Sequence, residues 1–369
     1  MTYSILSILK EENLRDGPIR FDRFMEICLY QQDIGFYSSG KSRTGTQGDF
    51  LTPVSTGPVL GQLLALQITE LAQSLKNPTS LHLVEQGADQ GHLALDILSS
   101  LAQRAPHLLS SIHFHLIEPS PVLAKQQKHS LQPFLSKITI HWHPDLASLP
   151  PLSHLTYFYS CELLDSFPVR MIRFFNGQWH ERFVTQISDR WVWIDQPASP
   201  ELLTEIHRWS IPPIEGFTAE IRLPISPWLN LLSEKIEQGA VLTLDYGLPA
   251  ADLYHPSRSA GTLVALRKHT SASDPLSCPG EQDLTAHLNF SQLVEDGLKL
   301  GFQSYGPHPF MTALTRQATP LLHESQPLPE KWTRNFQHIV HPNFFGQTHL
   351  ALLQTKNLPA SFRPSMFSN

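Results

Sequence analysis

The chain has 369 residues, 41% of them hydrophobic and 16% charged, with a formal net charge of −6. That length suits one large α/β domain with additions, or two domains, and the acidic balance, without a Lys/Arg cluster among aromatics, argues against a nucleic-acid partner. No stretch approaches the roughly 20 apolar residues of a membrane span, and the three widely spaced cysteines, Cys28, Cys161 and Cys278, fit reduced thiols in a bacterial cytoplasm better than a disulfide framework.

The first ten residues carry neither a long apolar core nor an Arg-rich amphipathic pattern, so no secretory or transit peptide is expected. Apolar residues at helical spacing predict helices over 5–9, 21–30 and 59–75, a helical N-terminal cap covering 1–80. Asp33-Ile34-Gly35-Phe36-Tyr37 and a polar loop over 38–50 interrupt it, and a loop that long is a place for function. From residue 81 strands alternate with helices: strand 81–86, helix 92–104, strand 112–118, helix 121–132, then strands 137–142 and 154–160. Such alternation predicts a parallel sheet, whose first part spans 81–168.

After Pro168 the alternation stops. Segments 169–175, 178–185 and 190–194, with Asn176-Gly177 as a tight turn, predict a β-rich insertion over 169–225 packed on one end of the sheet. Trp191 and Trp193 are read as filling one face of a strand. Helix 226–237 and strand 240–245 resume the core, followed by a long loop, 246–289, helix 290–300 and strand 302–305. A last strand, 349–354, pairs antiparallel with 302–305 and closes the second part of the core, 226–355; residues 356–369 read as a loose tail. The expected fold class is α/β: a doubly wound, mostly parallel seven-stranded sheet with a terminal antiparallel hairpin.

Histidine is abundant, and His113/His115 and His141/His143 are i, i+2 pairs that a strand places on one face. No C-x-x-C or H-E-x-x-H accompanies them. They are read as surface or strand-filling residues, and no metal is expected.

The chemistry gathers at strand ends. Strand 81–86 breaks at Gly87-Ala88-Asp89-Gln90-Gly91, and the next strand ends in Glu118. In a doubly wound domain both face one crevice beyond the carboxyl ends of the strands, where glycines admit a ligand to the backbone and the acid suits a ribose diol. A dinucleotide fingerprint needs a middle glycine against the pyrophosphate, and Asp89 stands there. S-adenosylmethionine, with a ribose and no phosphate, fits this loop better than NAD. Glu162 and Asp165, then Asp245 and Tyr246, follow further strands and should border the same cleft. Two acids three apart can grip a guanidinium fork and take its proton.

Several motifs recur in order along the chain: Gly48-Asp49-Phe50-Leu51-Thr52, the loop from Glu85 to Gly91, Glu162-Leu163-Leu164-Asp165-Ser166-Phe167-Pro168, Asp245-Tyr246-Gly247, Gly261-Thr262-Leu263 and Asp283-Leu284-Thr285-Ala286-His287. Together they resemble the MidA family of S-adenosylmethionine-dependent methyltransferases over roughly residues 15–355. Mitochondrial members of that family methylate an arginine of a respiratory complex I subunit during assembly.

The resemblance implies a class I methyltransferase core with S-adenosylmethionine as cofactor and an arginine of a partner protein, such as a respiratory complex subunit, as acceptor. By position it puts Gly87 and Gly91 at the methionine part of the cofactor, Glu118 at the ribose, and Asp145 and Leu146 at the adenine, with Glu85 also among the cofactor-binding residues. Glu162, Asp165 and His287 become candidate catalytic residues, and Asp49, Asp245, Tyr246 and Asp283 candidate acceptor-binding residues. Where the family has E-L-G-P-G-R-G, this chain has Ala88, Asp89 and Gln90 in place of Pro, Gly and Arg. It also lacks the glutamate usual after Thr52, and has Cys161 for an asparagine and Leu266 for a tyrosine. Those departures leave a second reading: a methyltransferase fold that no longer holds the cofactor and acts as a protein-binding assembly factor.

Overall fold

In the computed structural model, which describes residues 4–39, 51–267, 270–272, 274–323 and 327–368, the central sheet has seven main strands and an eighth of two residues, Leu288–Asn289, paired parallel with the end of the fifth. The seven are β1 (Leu81–Gln86), β2 (Ile112–Ile117), β3 (Thr139–His143), β4 (Leu152–Cys161), β5 (Ile236–Leu248), β6 (Gln303–Pro309) and β7 (His349–Lys356). Their order is β6-β7-β5-β4-β1-β2-β3. Neighbours are parallel throughout, except that β7 runs antiparallel to both β5 and β6. The expected sheet and its closing hairpin are both present. Residues 240–244 of β5 are all buried, the near-continuous run of a strand covered on two sides.

Helices Val59–Ser74, His92–Arg104, Phe310–Leu322 and Glu330–Val340 cover one face, where Leu63, Ile97, Leu314 and Ile339 join Leu83, Phe114 and Leu242 in one core. Helices Ile225–Lys235 and Phe290–Lys299 cover part of the other, bringing Leu229 and Leu293 against Val84, Phe158 and Val241. The crossover from β3 to β4, residues 144–151, contains no helix. Parallel sheets are ordinarily covered on both faces by crossover helices. On the stretch that this crossover leaves without one, register places His82, His113, His115, His141, His143 and His154 on a single face.

The rings of these histidines lie 5.1 to 6.3 Å apart. His82 Nδ1 pairs with His115 Nε2, and His115 Nδ1 with His143 Nε2, each at 3.0 Å. The two i, i+2 pairs therefore fill a strand face, as expected, but as one hydrogen-bonded ladder. Among the described residues no group of three His, Cys, Asp or Glu could hold a metal ion.

Three expectations about organisation need correction. The helix Val59–Ser74 is part of the sheet core and not of a cap over 1–80, because its apolar residues Leu60, Leu63, Leu64 and Leu71 face the sheet. What precedes it joins the insertion. Strand Ile19–Arg20 pairs with strand Gln178–Ile187, and Phe21 and Phe24 of the helix Phe21–Tyr30 pack on Trp193 and Trp191 at 4.8 and 6.1 Å. The two Trp rings thus fill a strand face between segments far apart in sequence. The insertion has its tight turn where expected, with Asn176 and Gly177 both at positive φ (51° and 72°), and it also contains helix Pro200–Arg208 and strand Thr218–Ile221.

The stretch 246–289 is not one long loop: Val264–Arg267, Thr270–Ala272 and Asp283–Thr285 form a three-stranded sheet. Nor is the tail loose. Phe362, Met366 and Phe367 are buried in the core, and Ser365 N–H donates to Glu70 at 3.1 Å, so two aromatics and a thioether anchor the end of the chain. Among the described residues no helix is long and apolar enough to cross a membrane.

Candidate functional site

The loop after β1 has left-handed backbone at Gly87 (φ 83°), Asp89 (φ 44°) and Gly91 (φ 80°). Asp is among the few non-glycine residues that tolerate this region, which is how the chain keeps the turn while replacing a glycine. A Cβ on Gly87 would meet Leu163 Cδ1 at 3.2 Å, so the loop lies directly against the segment following β4. Gly91 opens the helix His92–Arg104 from the left-handed region.

Glu118, just beyond β2, is buried. Its Oε1 accepts from Ser120 N–H at 2.8 Å and its Oε2 from Gln127 Nε2 at 2.9 Å. Gln127 Nε2 also donates to the Asp89 carbonyl at 2.8 Å, while Trp142 Nε1 donates to Gln127 Oε1 at 3.1 Å. One amide thus ties the glycine loop to the acid of the next strand, a role that no local motif marked. Burial, with Asp89 adding to it, raises the Glu118 carboxyl to about 7. Glu85 is also buried, accepts from Tyr159 OH at 2.9 Å, and is raised by burial to about 8. A buried acid beside the loop suits a ribose diol, and the absence of a basic group in the loop leaves a pyrophosphate without a counter-charge there. S-adenosylmethionine meets that requirement.

The two residues placed at the adenine behave differently. Asp145 is exposed and its Oδ1 accepts from Ser148 N–H at 2.7 Å, while the Leu146 side chain is buried beside Leu149 and Leu152.

At the ends of β4, β5 and β7 an acidic nest assembles. Glu162 follows β4 in a left-handed conformation (φ 51°) with its N–H on Leu244 O at 2.9 Å, a strained arrangement of the kind that clusters at active sites. Its side chain is 13% exposed, and Oε1 lies 2.7 Å from His349 Nε2. Asp165 is buried; its Oδ2 accepts from Tyr246 OH and its Oδ1 has no hydrogen-bond partner. Asp245 is fully buried and accepts from Leu164 N–H at 2.9 Å, Asp165 N–H at 3.4 Å and Tyr246 N–H at 2.9 Å. Its carboxylate shapes the 162–166 turn from beneath.

Burial holds Glu162 and Asp245 well above the usual carboxylate range, with Asp165 adding to each, and raises Asp165 too.

The strand Asp283–Thr285 and the residues after it close over this nest. Asp283 is buried, accepts from Tyr37 OH at 2.6 Å, and is raised by burial to about 8. The His287 ring stands edge-on to Tyr246 at 5.7 Å, with its buried Nδ1 unpaired and its pKa lowered by burial to about 4. Arg222, buried behind, donates to the carbonyls of Asp165 (2.7 Å), Ala286 (2.9 Å), Phe167 (3.0 Å) and His287 (3.2 Å). It clamps the two loops together.

Glu162, Asp165, Asp245, Tyr246, Asp283 and His287 therefore do converge, whereas Asp49 lies outside the described residues. Gln127, Arg222 and His349 were not singled out by the sequence. His349 is nonetheless the register partner of Tyr246, since an antiparallel strand begins at the edge where its parallel neighbours end.

A family model described as "Putative S-adenosyl-L-methionine-dependent methyltransferase" matches residues 63–308. The Protein arginine methyltransferase NDUFAF7 homolog, mitochondrial, of Drosophila melanogaster is 26% identical over 318 residues, 78% of this chain and 68% of that protein. The Homo sapiens protein arginine methyltransferase NDUFAF7, mitochondrial, is 27% identical over 309 residues, 75% of this chain and 65% of its own length. A Burkholderia thailandensis crystal structure bound to S-adenosyl-homocysteine superposes with a TM-score of 0.88 at 24% identity, covering 99% of this chain and 94% of that one.

Proposed function

Since this chain belongs to the S-adenosyl-L-methionine-dependent methyltransferase family, we propose that it methylates an arginine of a partner protein, as the names of its relatives state for them. Bound in the cleft, the cofactor supplies an electrophilic methyl on a sulfonium. The chain's own part is to hold and orient: Glu118 for the ribose diol, the Gly87–Gly91 backbone for the methionine end, and the nest at Glu162 and Asp165 for the acceptor nitrogen.

The observation that carries the acceptor class is the buried, unpartnered oxygen Asp165 Oδ1, on a carboxyl bound by Tyr246 and beside the partly exposed Glu162, with the equally unpaired His287 Nδ1 on the ring that meets Tyr246 edge-on. Buried polar atoms are nearly always paired, so unpaired acceptors ask for a donor from outside. A guanidinium is made of donors. The strand-end acids, Arg222 clamp and closing strand serve this one function, and the free thiols Cys28, Cys161 and Cys278 suit a reducing cytoplasm. A respiratory-complex subunit is the acceptor that the family resemblance suggests.

Incubation of the full chain with methyl-labelled S-adenosylmethionine and a heat-treated bacterial lysate, followed by amino-acid analysis, should place label in methylarginine. Label in lysine or carboxyl esters instead would overturn the acceptor assignment.

A further inference from the structure

An arginine acceptor sets a problem of proton destination, and this inference rests on the methyltransferase reading above. A guanidinium, with a pKa above about 12, reaches the nest protonated. As the nitrogen–methyl bond forms and the sulfur–methyl bond breaks with its electron pair on sulfur, one N–H proton must leave. Glu162 touches the site; burial raises its carboxyl above the ordinary carboxylate range, and its Oε1 already faces a second base behind it.

The geometry behind Glu162 supplies a destination. Thr348 Oγ donates its single hydrogen to Phe344 O at 2.9 Å, so in its 3.1 Å contact with His349 Nδ1 it can only accept. Nδ1 therefore carries the proton of the imidazole, and Nε2, 2.7 Å from Glu162 Oε1, presents a lone pair to the carboxyl. Burial lowers His349 to about 4, in keeping with a neutral ring in the resting protein.

We propose that His349 is a positioning residue that acts through Glu162 as the final acceptor of the guanidinium proton. One Glu162 oxygen takes the proton leaving the acceptor nitrogen while Oε1 passes its own to Nε2. The N–H electron pair stays on nitrogen, Glu162 ends neutral as it began, and the positive charge rests on the His349 imidazolium. Of the groups facing that ring, Asp165 favours its charge against the burial that opposes it, the Tyr246 ring stands edge-on at 5.4 Å, and burial lowers His287 too. Phe310 and Phe345 close the remaining sides at 5.2 Å each.

Two measurements test this on the full chain. Nitrogen-15 NMR of histidine-labelled protein with S-adenosylhomocysteine, assigned by the signal missing from His349→Gln, should find Nδ1 protonated and Nε2 a hydrogen-bonded lone pair at neutral pH. A protonated Nε2 there overturns the relay, whatever the activity. In the labelled-lysate assay, His349→Ala should lose about 100-fold in rate with S-adenosylhomocysteine affinity within about twofold, and added imidazole should restore part of it. Full rate in His349→Ala, or a loss that imidazole leaves unchanged while affinity holds, contradicts the proposal. Wild-type protein that transfers no methyl group at all would instead strike the methyltransferase reading itself.

Discussion

Arg222 and Asp165 meet not as an ion pair but through the backbone: the guanidinium donates to the Asp165 carbonyl oxygen at 2.7 Å and leaves Oδ1 of the side chain unpaired. The same guanidinium reaches the carbonyls of Phe167, Ala286 and His287. Removing it would leave buried carbonyls unsatisfied at about 1–3 kcal/mol each. Arg222→Met should therefore lower unfolding free energy in urea by about 3 kcal/mol or more and abolish turnover. Arg222→Lys should recover only part of both, because an ammonium cannot span four carbonyls as a planar fork does. Full recovery by lysine would mean that charge, not geometry, is what Arg222 provides.

Glu162→Gln separates chemistry from binding. The amide keeps the shape of the turn and can still donate to His349, but cannot take a proton from the acceptor. Turnover should fall at least tenfold, a barrier rise of roughly 1.4 kcal/mol or more, while cofactor affinity stays nearly unchanged. Unaltered turnover would remove Glu162 from the reaction.

Gly87→Val acts in the opposite sense. At φ 83° a β-branched residue is strained, and its Cβ would stand 3.2 Å from Leu163, between the glycine loop and the acid loop. Cofactor binding should be lost in a protein that circular dichroism reports as folded. Normal affinity would put the cofactor elsewhere.

The histidine ladder makes the fold sensitive to acid. Burial lowers His82 to about 4 and His115 to about 3 from the ordinary 6.5, and His143 is lowered as well. Between 6.5 and those values the unfolded chain binds more protons than the folded one, so their contribution is fully present above 6.5 and is lost as pH falls. Glu85 and Glu118, raised from 4.5 to about 8 and 7, slope the other way and lose stability as pH rises through that window. The urea midpoint of His115→Phe should accordingly drop less than that of the wild type between pH 6.5 and 4. Parallel drops would remove His115 from the acid response.

The end of the chain is a further stability element. Met366 is fully buried with Phe362 and Phe367 against the helices Val59–Ser74 and Phe310–Leu322. Met366→Ala should cost about 2–5 kcal/mol, read as a lower urea midpoint at unchanged slope. A variant as stable as the wild type would return these residues to the status of a tail.

The sheet and both loops at its edge were legible because their signals are local: short apolar runs alternating with helical spacing, glycines after a strand, acids at strand ends. Asp89 is a case in point, its positive φ following from the loop's need for a turn. What escaped was built from residues distant in sequence. His349 reaches Glu162 across 187 positions because β7 is antiparallel. Arg222 comes from just beyond a strand of the insertion, and Gln127 looks like any polar helix residue until its amide is seen between two loops. The tail has no periodicity to read, only three anchors. The helix Phe310–Leu322 is different, since Phe310, Ala313, Leu314, Gln317 and Leu321 recur at helical spacing and its signal was present in the chain.

The central claim is that the cleft at Gly87, Glu118 and Glu162 holds S-adenosylmethionine. Calorimetric titration of the full chain with S-adenosylmethionine, S-adenosylhomocysteine and NADH tests it most directly. Micromolar binding of the first two, abolished in Gly87→Val and retained in Glu162→Gln, with no heat from NADH, is the expected result. Folded protein that binds neither sulfur compound, or that binds NADH, would contradict it.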